Sequence, residues 1–469
     1  MAAPTVALAN VDSAWLRMDD PTNLMVVTGV LMLDEAVPPE RVREVVEGRL
    51  LRIPRLRQRV SDRGSLIGGP AWEDDAAFDL GYHLQTVELK EPGDDRALER
   101  LVSSLMSQPL DAARPLWQFH FIPHYEGGSA IVCRFHHCIG DGLALIYVIL
   151  SLADNGPAYP PPSAAGDDAS PWDAVATAIS SAVGASLSLP TALARRVGSL
   201  VFDPTRVTEV TGSVASGVGA VGKLLLMEPD PQTALKGPLV IEKRVAWSPS
   251  IPIDTVKQIG RVTGSTINDV LVSAVAGGLR RYLLQRKTVL DENVSVRAVV
   301  PVNLRPLAEA HQLGNQFGLV FLELPLGVTE PLDRLFEVRR RMTAIKRSPE
   351  AYLTFQILRA IGTAPRQIFD LVVDLFQRKA TAVMTNVIGP REPIRFAGAT
   401  MRQAMFWVPC AGRLGLGVSV LSYAGRVWLG VATDAQVIPD PHAVLEGFDA
   451  ELAALRGLLD ALRDDTLPR

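Results

Sequence analysis

The feature that most limits the fold is a break in the middle of the chain. From Asn155 to about Lys236 the sequence carries no strong strand signal. It opens on a proline-rich run (Pro157, Pro160, Pro161, Pro162) and continues rich in Ala, Ser, Gly and Val. On either side, short β-branched runs alternate with helical patterns. The chain therefore divides into an N-terminal lobe over 1–155, a linker or crossover with helices over 156–238, and a C-terminal lobe over 239–469. Its 469 residues exceed one ordinary domain. Alternation of strands and helices in both halves makes the class α/β or α+β, with a mixed sheet in each lobe.

Particular runs carry this reading. Leu24–Leu33 and Ser129–His137 predict buried strands, and Pro39–Leu50 a helix with Val42, Val45, Val46 and Leu50 on one face. Asp141 is placed to cap a helix over Asp141–Leu152. In the second half, Leu239–Trp247, Ser295–Val302, Phe317–Leu324 and Thr381–Val387 read as strands, and Ser265–Gln285 as a helix. Gly415–Tyr423 and Arg426–Thr433 form a hairpin across Ala424-Gly425, and a last helix covers His442–Arg463.

Charge and cysteine count exclude several classes. The 47 basic and 51 acidic residues nearly cancel, which disfavours nucleic acid as the main partner. Three cysteines (Cys133, Cys138, Cys410) make neither a disulfide scaffold nor a zinc quartet, so a reducing compartment is expected. Met1–Asn10 has no basic start and no apolar run, so no secretory signal is expected and the location is cytoplasmic. Ala174–Ala194 is uncharged and long enough to span a bilayer. Its larger residues, Val175, Ile179, Val183 and Leu187, recur every four positions. That is one stripe of a helix lying on the protein or on a membrane surface, not a span. Val218–Met227 is a second apolar stretch of this kind.

Two of the seven histidines are adjacent, His136 and His137, at the end of a predicted strand. Neighbouring side chains on a strand point to opposite faces, so the pair does not readily clasp one metal ion. A histidine at a strand end can be structural, or it can be a general base at neutral pH. Gly140 and Gly142 permit a tight turn into the next helix, and Asp141 can fix that turn. Spacing alone leaves the structural and catalytic readings open.

The run HHCIGDG matches the HHxxxDG motif of acyltransferases with the chloramphenicol-acetyltransferase-like fold. More specifically, the chain resembles the bacterial wax ester synthase/diacylglycerol acyltransferase family. Pro115-Leu116-Trp117 resembles that family's PLW motif, and Asn268-Asp269 its ND motif. Thr385-Asn386-Val387-Ile388-Gly389-Pro390 resembles its SNVPGP-like segment, with Thr for Ser and Ile for Pro. The opening Val11-Asp12-Ser13-Ala14-Trp15-Leu16 is also similar.

The resemblance implies two chloramphenicol-acetyltransferase-like lobes with the active site in a tunnel between them. It implies acyl-CoA as substrate, no cofactor and no metal. His137 would be the general base that activates an acceptor hydroxyl, with no covalent acyl-enzyme. Asn268 would stabilise the oxyanion, although as a residue it reads equally well as an N-cap. Asp141 would be structural and paired with an arginine, for which Arg305 is the candidate. His136, Gly142 and Asp269 would support the site. Pro115, Leu116, Trp117, Thr385, Asn386, Gly389 and Pro390 would line the substrate pocket, Trp117 being equally readable as core. A Cys138–His137 dyad is disfavoured, because Cys138 occupies a variable position of the motif. The implied partners are acyl-CoA and a lipid or alcohol acceptor, with reversible contact to a membrane or lipid droplet. Other readings are a condensation-type acyltransferase of the same superfamily and a lipid-binding protein without catalysis.

Overall fold

Two apolar runs organise the first lobe. Val26–Leu33 and Gly128–His136 pair antiparallel from Val26 opposite His136 to Leu33 opposite Ser129. The computed structural model describes residues 5–61, 69–157, 227–306 and 309–464, with side chains as far as 458. The stripe at Val175, Ile179, Val183 and Leu187 and the prolines beyond Pro157 lie outside the described residues, as does all of Val218–Met227 except Met227.

The first sheet has six strands in the order Arg395–Phe396, Ala399–Trp407, Val26–Leu33, Gly128–His136, Trp117–Tyr125, Leu84–Thr86. Only the last pair is parallel. The second sheet runs Phe317–Leu324, Val296–Asn303, Ala382–Ile388, Leu416–Tyr423, Arg426–Asp434, Lys243–Trp247, with Ile251–Pro252 also pairing Arg426–Asp434. Its central pairings are parallel and its flanks antiparallel, so this sheet is mixed. A small sheet joins Val6–Ala7, Ala71–Asp74 and Gln58–Ser61. The two mixed sheets with their helices form the expected two-lobe α/β architecture.

Most expected elements are present with ends shifted by a few residues. The Leu239–Trp247 run forms a strand only from Lys243. The Ser265–Gln285 helix begins at Ile267, after Thr266. The hairpin turns across Ala424 and Gly425, both at positive φ (47° and 76°). One element crosses the expected division: Ala399–Trp407, from the second half, lies in the first lobe's sheet against Val26–Leu33. Arg402 and Gln403 interrupt its apolar run, and its pairing shifts register between Met401 and Gln403. No clean period of two marks it as a strand. Helices Glu350–Ile361 and Arg366–Gln377 were likewise not anticipated.

Period-two alternation divides the second sheet between two environments. Val296, Ala298, Leu322, Leu324, Ala382 and Met384 pack into one apolar core with helices Ile253–Thr263, Ile267–Gln285, Pro331–Lys346 and His442–Asp464. Val299, Phe321 and Val383, one residue out of step, face away from that core. Helices Glu350–Ile361 and Arg366–Gln377 cover this second face, and a cavity lies beneath them.

The packed side holds a buried ion cluster. Glu451 is fully buried and accepts from Arg334 Nε at 3.0 Å and from Arg334 Nη2, with Arg281 Nη2 at 3.4 Å. Removing the carboxylate strands the buried Arg334 guanidinium. Glu451→Ala is expected to cost about 3–5 kcal/mol in urea unfolding. A loss under about 1 kcal/mol would contradict this assignment.

Candidate active site

The site forms where three segments meet: the helix Asn10–Arg17, the turn after strand Gly128–His136, and the stretch from Asn303 to Phe317. Strand pairing holds the histidine turn in place at its start. His136 N–H donates to Leu116 O at 2.9 Å, and His137 N–H to Met25 O at 2.7 Å. Asp141 fixes the turn's far end as N-cap of helix Gly142–Ser151, where its Oδ1 accepts from Ala144 N–H at 3.0 Å. Its other oxygen, Oδ2, accepts from Arg305 Nη2 at 3.0 Å and from Gln316 N–H at 2.9 Å. Both members of this ion pair are buried. Arg305 also donates to Gly314 O at 2.6 Å and to Gln312 O. Main-chain bonds between Gly140 and its neighbours and Gly314 complete the join.

His137 is buried, with Trp15 stacked on its ring at 4.5 Å between centroids and Phe317 at 5.5 Å. Its Nδ1 lies 2.9 Å from Asn315 Oδ1. The orientation of Asn315 decides the tautomer. Asn315 Nδ2 donates to Asp12 Oδ1 at 2.9 Å and to His137 O at 2.7 Å. Asp12 Oδ1 also receives Asn315 N–H at 2.9 Å. With its nitrogen committed to two acceptors, Asn315 presents oxygen to the imidazole, so Nδ1 must carry the proton. Nε2 is then the basic nitrogen, and the ring lines the cavity. Burial lowers the imidazole pKa to about 4, and burial also raises that of Asp12 to about 6. His137 is therefore neutral and able to accept a proton at pH 7.

The cavity has a volume of about 380 Å³ and runs between the lobes. Its walls are overwhelmingly apolar, with His137, Asp141, Asn303, Thr385 and Asn386 among the few polar residues. Gly142, Thr385, Asn386, Gly389 and Pro390 all line it, as the sequence reading expected of the last four.

Other expected residues lie elsewhere. Pro115, Leu116 and Trp117 do not line the cavity. Trp117 is fully buried in the first lobe's core, stacked on His83, with Nε1 donating to Leu56 O at 2.7 Å. The PLW run is structural, and Leu116 acts through its carbonyl on His136. Asn268 is not an N-cap, because Thr266 holds that position in a reciprocal capping box with Asp269. Asp269 is thereby structural. Asn268 does not line the cavity, and its Oδ1 accepts from Asn386 Nδ2 at 2.8 Å. Asn386 is among the residues that line the cavity. His136 bonds within the turn and faces Asp19. Its Nδ1 accepts from Cys138 N–H at 3.1 Å, and its Nε2 faces Asp19 Oδ1 at 3.7 Å.

The Cys138 side chain is buried away from the cavity, and burial holds its thiol well above the ordinary pKa. Both facts disfavour a thiolate nucleophile. Among the described residues no cluster of three His, Cys, Asp or Glu side chains is placed to hold a metal ion. Asp12, Trp15, Asn315 and Phe317 were missed as site residues. Asp12 and Trp15 stand in a run noted only for its similarity, and Asn315 is 178 residues from its histidine.

Two lobes with mixed sheets and a histidine turn between them define the chloramphenicol-acetyltransferase-like class. Comparison with known proteins narrows it. The wax ester synthase/diacylglycerol acyltransferase catalytic domain matches residues 8–271, and the C-terminal domain of the same family matches 313–456. The chain belongs to this family and is an acyltransferase.

A probable diacylglycerol O-acyltransferase of Mycobacterium tuberculosis is 28% identical over 96% of this chain and 95% of its own length. A putative one from Mycobacterium bovis gives the same values. Among solved structures, the wax ester synthase/diacylglycerol acyltransferase of Marinobacter aquaeolei has a TM-score of 0.65 at 21% identity, covering 96% of this chain and 98% of that one. The first condensation domain of the calcium-dependent antibiotic synthetase, with a substrate analogue, has a TM-score of 0.60 at 16% identity and covers 97% of each chain. These structures share the fold.

The histidine environment fixes an expected pH profile. Because burial lowers the His137 pKa from 6.5 to about 4, the base stays unprotonated well below neutrality. On acidification kcat/KM should hold level from about pH 8 to about pH 7, then fall as Asp12 protonates near 6 and again as His137 protonates near 4. An acid limb at 6.5 that persists unchanged in Asp12→Asn would show that His137 titrates as a solvated imidazole.

Proposed function

We propose that this chain transfers a fatty acyl group from acyl-CoA to the hydroxyl of diacylglycerol or a long-chain alcohol, forming triacylglycerol or wax ester. The observation that carries this reading is the neutral, buried His137, held by Asn315 with Nε2 free to accept, on the wall of an apolar cavity. The named relatives and the family agree with it. An apolar cavity suits alkyl chains, and a thioester is already activated, so positioning supplies much of the rate.

In the proposed step, His137 Nε2 takes the hydroxyl proton as the acceptor oxygen bonds to the thioester carbonyl carbon. The tetrahedral oxyanion collapses, the carbon–sulfur bond breaks, and the thiolate of CoA leaves with the proton from His137. No acyl-enzyme forms and no resident cofactor takes part. Asn315 and Asp12 hold the imidazole and stabilise its transient cation. Asp141, Arg305 and Gly142 shape the turn without touching the reacting atoms.

A lipid acceptor would draw the enzyme into reversible contact with a membrane or lipid-droplet surface, and the proposed location is cytoplasmic. No helix among the described residues is long and apolar enough to cross a membrane.

The test is labelled palmitoyl-CoA offered with hexadecanol and, separately, with diacylglycerol. Wild type is expected to esterify at least one. His137→Ala and Asn315→Ala should lose about 10²-fold or more in kcat while remaining folded. No product with either acceptor would overturn the reading.

A further inference from the structure

The cavity extends into both lobes from His137. The strand Ala382–Ile388 runs along it, and its two ends sit in different apolar surroundings. Val383 packs with Val299, Phe321 and Leu414, beneath the helices of the second lobe. Val387 packs against the first lobe's core, whose cavity wall includes Phe406 and Tyr423. These four residues of strand separate the walls by roughly 13 Å. The cavity thus has a wall in each lobe, called its two arms below, and His137 is among the residues that line it.

The first-lobe arm lies between the sheet and the helix Gly142–Ser151, which contributes Leu145, Ile146, Ile149 and Leu150 to its wall. Its floor comes from alternate residues of the paired strands: Val27, Gly29 and Leu31 on one, Cys133 and Phe135 on the other, with His137 next in step. Every position of this floor carries a side chain except Gly29. Gly29 pairs with Cys133 on one side and Phe406 on the other, in the interior of the sheet.

Nothing in the backbone requires glycine there. Gly29 is not at positive φ, and a Cβ built on it meets only Met405 O at 3.5 Å and Phe406 Cβ at 3.9 Å. Both are ordinary contact distances. A buried central strand favours β-branched residues, and glycine weakens it, often marking a place where a ligand approaches closely. Here the missing side chain leaves the cavity open at that level. Cys133, beside Gly29, is four residues from His137, so the opening lies roughly 13 Å along the strand from the base.

We propose that Gly29 sets how far a long alkyl chain can enter the first-lobe arm, and so determines chain-length selectivity. The inference rests on the acyl-transfer reading and deepens it by assigning one gauge residue. The chain can belong to the acyl donor or to the acceptor alcohol, and both present the same linear hydrocarbon. Gly29→Val fills the opening with a residue that suits a strand, and Gly29→Ala fills it in part.

Each variant is compared with wild type in two series: octanoyl-CoA against palmitoyl-CoA with hexadecanol fixed, and octanol against hexadecanol with palmitoyl-CoA fixed. In one series the short-to-long ratio of kcat/KM should rise about tenfold or more for Gly29→Val, and less for Gly29→Ala. The series that responds identifies whose chain occupies the arm. Unchanged ratios in both series, or equal loss at all lengths, would overturn the proposal. Calorimetric binding of palmitate and octanoate separates this from the activity itself. If wild type makes no ester yet Gly29→Val selectively loses palmitate, the acyl-transfer reading fails and the gauge stands. If palmitate and octanoate affinities change alike and neither kinetic ratio moves, the gauge fails. Should Gly29→Val not fold, as judged by its melting curve, the alanine variant carries the same comparisons.

Discussion

One buried carboxylate joins the two halves of the chain at the point where they share a site. Asp141 caps the helix after the histidine turn with one oxygen and receives Arg305 and the Gln316 amide with the other. A buried ion pair is not in itself strong evidence of stability, because desolvation offsets much of its attraction. Its value here is register. It places the Asn303–Phe317 stretch against the turn, and that brings Asn315 to His137. Without this join, Asn315 would not be held against His137.

The second constraint is the dry setting of the base. Burial pushes His137 toward its neutral form, and Trp15 and Phe317 cover its faces. The Asp12–Asn315 pair then selects which nitrogen is basic, through an amide whose own orientation is fixed by two acceptors. Within the apolar cavity an oriented dipole acts more strongly than in water. The near balance of charge over the whole chain fits this arrangement, since the chemistry needs a few placed polar groups and not a broad field.

The lobes, most strands and the histidine turn were legible because local pattern encodes them. Near-continuous apolar runs mark Val26–Leu33 and Phe317–Leu324, and HHCIGDG carries both the candidate base and the helix cap. The Asp141–Arg305 contact was anticipated from the family resemblance and is present in the structure. What escaped was non-local. Asn315 has no local signature that ties it to a histidine 178 residues away. Asp12 stands in a run noted only for its similarity to the family. Ala399–Trp407 leaves its own half because of an edge available in the other lobe, and its interrupted pattern does not announce this. The Trp117 and Asn268 motifs were read as site residues, whereas the structure puts one in the core and the other behind Asn386.

The proposed acyl transfer requires His137 to be neutral with its proton on Nδ1. Nitrogen NMR of histidine-labelled protein at pH 7 reads both properties directly, with the His137 signals assigned by their loss in His137→Gln. The geometry predicts a protonated Nδ1 and an unprotonated Nε2. A proton on Nε2, or a cationic ring at that pH, would contradict the base assignment.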